Sequence, residues 1–321
     1  MAGLDNLQVF QDEVYTSTTE LVAQEVDKFN AASNGAIILT DAMNQGDFTK
    51  QAYYKALQMV RRRDPYDRTS TVSAVGLEHL LKVSAKIASG TFPVEIDRDT
   101  LAWIQRNPDE YAQIISAQLG PQMLQDMLDN AIASCIAAIR NADVAGARTI
   151  YDGSASTATL NTLVSTAALM GDRSQSLACW VMHSKVSTDI YGTALTNANR
   201  LFSFGTVNVM QDGFGRPFVI TDSDDLVDSG SPGGYSTLGL VQSAVICERN
   251  NDFDANIETS NGKENITRTY QAQWSYNVGV KGYQWNTAVK APTDAELRTE
   301  TNWTKIATSV KDTAGVLLVS A

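Results

Sequence analysis

His79 and His183 are the only two imidazoles in the chain. Neither sits in a spaced ligand or catalytic pattern. A metal site built from His and Cys needs spacing of the HxxxH or CxxC kind, and Cys135, Cys179 and Cys247 lie far apart and form no such pair. His183 follows the apolar run Leu177–Met182, which reads as a buried strand, so this histidine is expected to cap a strand end rather than to act on a substrate. Neither a GxxxxGK[ST] phosphate loop nor a GxSxG nucleophile elbow occurs.

Three weaker patterns remain. Gly213-Phe214-Gly215 could open a dinucleotide site only if a helix followed, but Arg216 to Ile220 reads as a strand; a hairpin turn, where glycine supplies positive φ, is the better account. Asp222-Ser223-Asp224-Asp225 with Asp228 resembles part of a calcium loop but lacks its glycine and terminal glutamate, which favours a solvated acidic loop at a strand end. The basic cluster Arg61-Arg62-Arg63-Asp64-Pro65-Tyr66-Asp67-Arg68 could hold phosphate or nucleic acid. Its own Asp64 and Asp67 partly neutralise it, so a contact with acids on a neighbouring protein is the more economical reading. Arg61, Arg62, Arg63 and Arg68 are therefore the candidate inter-subunit residues, and no catalytic, cofactor or metal residue is assigned.

Composition agrees with that absence. The 321 residues are 43% hydrophobic and carry 25 basic against 36 acidic side chains, a formal charge of −11. Such a chain is globular, and a nucleic-acid surface, whose affinity comes largely from neutralised phosphates, is disfavoured. No apolar run approaches the roughly 20 residues of a membrane span, and Met1 to Asp12 does not read as a secretory signal. Three scattered cysteines suit a reducing compartment, as small buried apolar residues.

Next come the elements that must position these residues, an α+β mixture. Asp5 to Phe29 has partly helical spacing interrupted by Thr16 to Thr19 and reads as an arm with a helical piece. Ala36 to Thr40 reads as a strand, with a turn at Asn44 to Asp47. Phe48–Val60 and Leu80–Ile96 can pair as a long hairpin, each arm about 40–55 Å at about 3.3 Å per residue. Such a hairpin is marginal alone in water and must lie on something, for which a neighbouring subunit is the natural cover. Asp109 to Asn141 is the strongest helical segment, with Asn107 as N-cap and Pro108 at the first position. Gly120-Pro121 should break or kink it. An α/β stretch follows, then β structure, with Tyr270, Ala272, Trp274, Tyr276, Val278 and Val280 forming a period-two stripe within Ile266 to Trp285, as in a long strand packed on a helix layer. Ala314 to Val319 can add a short strand.

The order of arm, long hairpin, spine helix, α/β insert, long strands and closing tail resembles the major capsid protein of tailed bacteriophages, the Hong Kong 97-type fold. The run Tyr270–Trp285, the ending Pro292–Leu297 with Thr301–Thr304 and Lys311–Val316, and the segment around Arg61-Arg62-Arg63-Asp64 are similar to the thirteen-like group of those proteins. The resemblance implies an N-terminal arm at 1–31, an extended loop at 32–98, the spine helix and first part of the peripheral domain at 99–165, an axial domain at 166–250, and peripheral strands with the tail at 251–321. It further implies a non-enzymatic shell protein that assembles with itself into pentamers and hexamers around double-stranded DNA. A portal and a separate scaffold are implied as partners, a decoration protein is an option, and no cofactor is needed. Assembly would occur in the host bacterial cytoplasm and the product would be the virion. No scaffold or maturation-protease segment is read at the amino terminus, and no cross-linking lysine or asparagine is assigned. Two rivals stay open: an encapsulin-like compartment shell, and a glycan-binding or glycan-cleaving protein using carboxylates with the aromatic strand Trp274–Trp285.

Overall fold

Apolar residues recurring on one side make α1 (Ala2–Ala32) a single helix. Val14, Val22 and Phe29 are buried along it. The polar, β-branched Thr16 to Thr19 does not interrupt it: Thr16 Oγ1 donates to the Asp12 carbonyl one turn back, and Thr18 is buried. The segment therefore packs on the body as helix throughout, where its sequence predicts only a helical piece. The computed structural model describes residues 2–42, 46–54, 59–77, 79–96, 108–144, 146–191, 199–204, 207–211, 216–228, 234–261 and 266–321.

The spine is α2 (Pro108–Val144), about 55 Å long at 1.5 Å per residue. Its predicted cap Asn107 lies outside the described residues. Pro121 sits inside the helix without ending it; the cost is one helical bond, the one the Ala117 carbonyl would have accepted. Gly120 has a use here, because a Cβ at that position would stand 2.6 Å from Leu21 Cδ2 of α1. The glycine lets the two helices approach.

Among the described residues, seven strands form one sheet, in the order β1 (Ile37–Ala42), β12 (Val245–Asn250), β14 (Thr267–Val280), β3 (His79–Gly90) and β2 (Thr49–Tyr54), with β13 (Asp254–Ser260) and β4 (Val94–Ile96) also pairing with β14. The period-two stripe is real: Tyr270, Ala272, Trp274, Tyr276, Val278 and Val280 are all buried. Tyr276 Oη donates to Asp126 of α2 at 2.8 Å and accepts from Asn130 Nδ2 at 2.7 Å, which fixes this sheet on the spine. The run does not continue unbroken to Trp285. It turns at Gly282, φ +81°, and β15 (Tyr283–Trp285) pairs instead with β16 (Trp303–Lys305). The Trp285 and Trp303 rings meet edge-on at 5.0 Å.

A second sheet of eight strands runs β5 (Ile150–Gly153), β17 (Gly315–Ser320), β11 (Gly234–Val241), β6 (Leu177–Met182), β9 (Pro217–Ile220), β8 (Val207–Gln211) and β7 (Asn199–Phe204), with β10 (Val227–Asp228) on β11. The carboxyl-terminal strand thus lies between elements from the middle of the chain. β8 and β9 pair antiparallel, as a hairpin requires; the Gly213 to Gly215 tip lies outside the described residues. Among the described residues three short α-helices complete the body: α3 (Leu160–Ala168), α4 (Ser184–Tyr191) and α5 (Asp294–Arg298). Arg140 of α2 reaches the second sheet, 2.7 Å from Asp228 and 3.2 Å from Ser236. One helix serves both sheets.

Candidate inter-subunit surface

The hairpin comes from alternation on β2 and β3, in register from Thr49↔Ser84 to Tyr54↔His79. Only the second half of β3, Ala85 to Gly90, pairs with β14. The first half carries β2 and then the segment Met59–Leu77 away from the sheet.

Every residue from Met59 to Leu77 is exposed. Arg61, Arg62, Arg63 and Arg68 all lie there, and among the described residues none of the four makes an ion pair. Asp64 and Asp67 do not neutralise them by direct contact. The Asp64 carboxylate accepts from the Tyr66 amide at 2.9 Å, and Asp67 accepts from the amides of Thr69 at 2.9 Å and Ser70 at 3.1 Å. Bonds from Ser70 and Thr69 hold the Asp67 carboxyl far below its usual range. These acids shape two turns and leave the guanidinium groups in water. The sequence reading passed over the apolar residues between the charges: Met59 is 83% exposed, Val60 87% and Tyr66 89%, with Val72, Val75 and Leu77 also exposed. Their signal was hydrophobicity without helical or strand period, which a periodicity search discards.

The other chemical candidates resolve into structure. His183 follows β6 and opens α4; its Nδ1 accepts from the Lys185 amide at 3.1 Å, its Nε2 stands 3.6 Å from Asp222, and its ring packs on Tyr235. His79 is exposed at the start of β3. The acids of the 222–228 loop diverge: Asp225 is held by Arg298 of α5 and Asp228 by Arg140. Among the described residues no group of three or more His, Cys, Asp or Glu converges as a metal site. Cys135, Cys179 and Cys247 are buried free thiols, and burial pushes the first two up to about 12 and the third higher still. Thiols so desolvated are inert as nucleophiles. Among the described residues no helix is long and apolar enough to cross a membrane.

The family model described as major capsid protein 13-like matches residues 6–317. Among solved structures, the chain is similar to one titled Cyanophage Pam1 capsid asymmetric unit, 14% identical, with a TM-score of 0.50 over 77% of this chain and 84% of that one. It is also similar to a chain of Mycobacterium phage Adephagia, 10% identical with a TM-score of 0.49 over 88% and 87%. A third likeness is to the acidic stable capsid structure of Helicobacter pylori bacteriophage KHP30, 11% identical with a TM-score of 0.47 over 90% and 88%. No curated protein sequence matches. At these identities the structural likeness, carried by the Pam1 chain, is one of fold.

Proposed function

The chain belongs to the major capsid protein 13-like family and has the Hong Kong 97-type fold, so it is a subunit of a phage head shell; from that premise we propose how its parts build the shell. Copies associate head to tail into rings of five and six, which close into an icosahedral or prolate head around double-stranded DNA. Residues 1–31 act as the arm, 32–98 as the extended loop, 99–165 as spine and first peripheral part, 166–250 as axial domain and 251–321 as peripheral strands and tail. Arg61, Arg62, Arg63 and Arg68 meet acids of a neighbouring copy. The subunit does no catalysis, assembles in the host cytoplasm, and works with a portal, a separate scaffold and, where present, a decoration protein.

The observation that carries this reading is the segment Met59–Leu77, held out on paired strands with its apolar residues in water. A lone soluble protein gains nothing from that exposure, whereas a subunit whose neighbour covers it does. The net charge of −11 supports an interior that does not grip DNA. The aromatic residues that a glycan site would use are buried in the core: Trp285 and Trp303 bond their own backbone at Val289 and Leu297, and Trp274 is 8% exposed. Electron microscopy with sedimentation of the recombinant protein over a range of salt should show rings or closed shells, if needed with neighbouring genes co-expressed. A monomer under all these conditions would overturn the assembly scheme.

A further inference from the structure

The chain carries a formal charge of −11, yet the sign is reversed locally where its two sheets meet. An open cavity of about 640 Å³ lies there, between Lys281 just after β14, Gln242 just after β11 and Leu177 at the start of β6. Arg173 and Lys311 also line it, and among the described residues no carboxylate does.

Two of these three cations have partners. Arg173 Nη1 stands 2.5 Å from Asp312, and Lys311 Nζ stands 2.5 Å from Asp172. The neighbours 172–173 and 311–312 thus bridge reciprocally and join the short helical turns Gly171–Ser176 and Val310–Asp312. Lys281 differs. Its Nζ donates to the Gln242 carbonyl at 3.3 Å, and it makes no ion pair among the described residues. Three positive charges therefore face two negative ones. A further ammonium crowds the free one: Lys82 Nζ of β3 stands 3.3 Å from where a Cβ on Gly279 would be, two residues before Lys281. Burial holds the Lys82 ammonium below its usual range, and repulsion from Lys281 adds to that against attraction to Glu248. An anion beside Lys281 relieves that crowding.

We propose that this cavity binds one phosphate group, with Lys281 as the free cation that anchors it and Arg173 and Lys311 as donors at its rim. Guanidinium and ammonium groups give charge-assisted hydrogen bonds to phosphate, whose several oxygens can serve three donors at once. The phosphate belongs either to a free ion or nucleotide or to a DNA backbone. In each case it clamps the two sheets, because Lys281 follows a strand of the first while Arg173 and Lys311 precede strands of the second. The site goes beyond the shell reading and stands whether or not copies assemble. One such contact per subunit leaves the acidic remainder free to repel DNA.

The test uses the full chain in phosphate-free buffer, titrated with sodium phosphate at an ionic strength held constant with chloride. Isothermal titration should show one saturable phosphate per chain, and Tm should rise by about 2–4 °C as phosphate approaches about a hundredfold its Kd. Lys281→Gln should weaken phosphate binding about tenfold or more. Arg173→Gln should weaken it as well, and Lys281→Arg should retain it. Lys290→Gln, at an exposed lysine paired with Asp47 outside the cavity, should leave it unchanged. A DNA duplex of about 20 base pairs, followed by fluorescence anisotropy over a range of salt, separates the sources. Duplex binding whose salt slope falls by about 1 in Lys281→Gln assigns the phosphate to the DNA backbone. Phosphate binding without duplex binding assigns it to a free ion or nucleotide. No saturable binding above chloride, equal binding by Lys281→Gln, or acetate bound as tightly as phosphate would overturn the site and leave the shell reading standing.

Discussion

At Arg61, Arg62 and Arg63 charge stands in water without an ion-pair partner among the described residues, so its removal is expected to act on association and not on folding. Replacing all three with Ala should change subunit stability by no more than about 0.5 kcal/mol per site, the usual range for exposed positions, while assembly measured by sedimentation is strongly weakened. Equal loss of thermal stability and assembly would place these residues in the fold instead. Asp129 of α2 poses the opposite case. Burial raises its carboxyl above the ordinary 3.8, and Asp225 and Asp126 add to that, against hydrogen bonds from Gln125 and Ser223. The folded chain therefore holds this proton more tightly than the unfolded chain does. Its contribution to stability is fully present below 3.8 and is lost as pH rises through the raised value. At neutral pH the charged group is a liability, so Asp129→Asn should raise Tm at pH 7 and flatten this group's share of the change between pH 7 and acid. A lower Tm at pH 7 would mean that attraction to Arg298 outweighs burial.

The elements show where close approach decides packing. Gly239 of β11 lies directly across from Trp180 of β6, and a Cβ there would stand 2.7 Å from the indole Cζ3. Trp180 is buried in the second sheet and has little room to yield. Gly239→Ala should therefore cost about 1–3 kcal/mol through overpacking, read as a lower denaturation midpoint. An unchanged midpoint would show that the indole can slide. β14 illustrates how much of an element is legible in its own residues. Its alternation correctly marked Tyr270 to Val280 as the face packed on a helix layer. The same alternation implies that the other face is wet, yet Ser275 and Asn277 are buried. Asn250 Nδ2 donates to Ser275 Oγ at 2.9 Å and Asn277 Nδ2 to Asn250 Oδ1 at 2.8 Å, so the polar face is closed by its own network. Polarity alone does not distinguish a hydrogen-bonded buried residue from a solvated one.

On the scale of the whole molecule, two large sheets share one spine helix among the described residues, and the β2–β3 hairpin projects from the first. That arrangement separates the part that must be rigid from the part that must reach. β3 joins the projecting segment to β14, whose Tyr276 hydrogen-bonds Asp126 and Asn130 of the spine. The acidic surface adds a general repulsion between copies that salt screens. For that reason the shell experiment is run over a range of salt: rings of five or six would identify the closing unit, and closed shells would establish that one chain suffices.

Periodicity by itself determined the long helix, the buried strand Leu177–Met182 and the striped strand; of the expected hairpin Phe48–Val60 with Leu80–Ile96 the structure pairs only Thr49–Tyr54 with His79–Ser84, because the rest of β3 is taken by β14. Helix, strand and stripe are properties of contiguous residues, set by side-chain spacing and local backbone preference. The overall order of elements was likewise sufficient to point to the capsid family. Only the tertiary structure decided that α1 packs as one helix along the spine, that β17 sits between β5 and β11, that the aspartates of the 222–228 loop part to different arginines, and that Arg173, Lys281 and Lys311 line one cavity. Each of these depends on residues distant in sequence becoming neighbours, and the free energy that selects such neighbours comes from burial and shape complementarity of the complete core, which no local window contains.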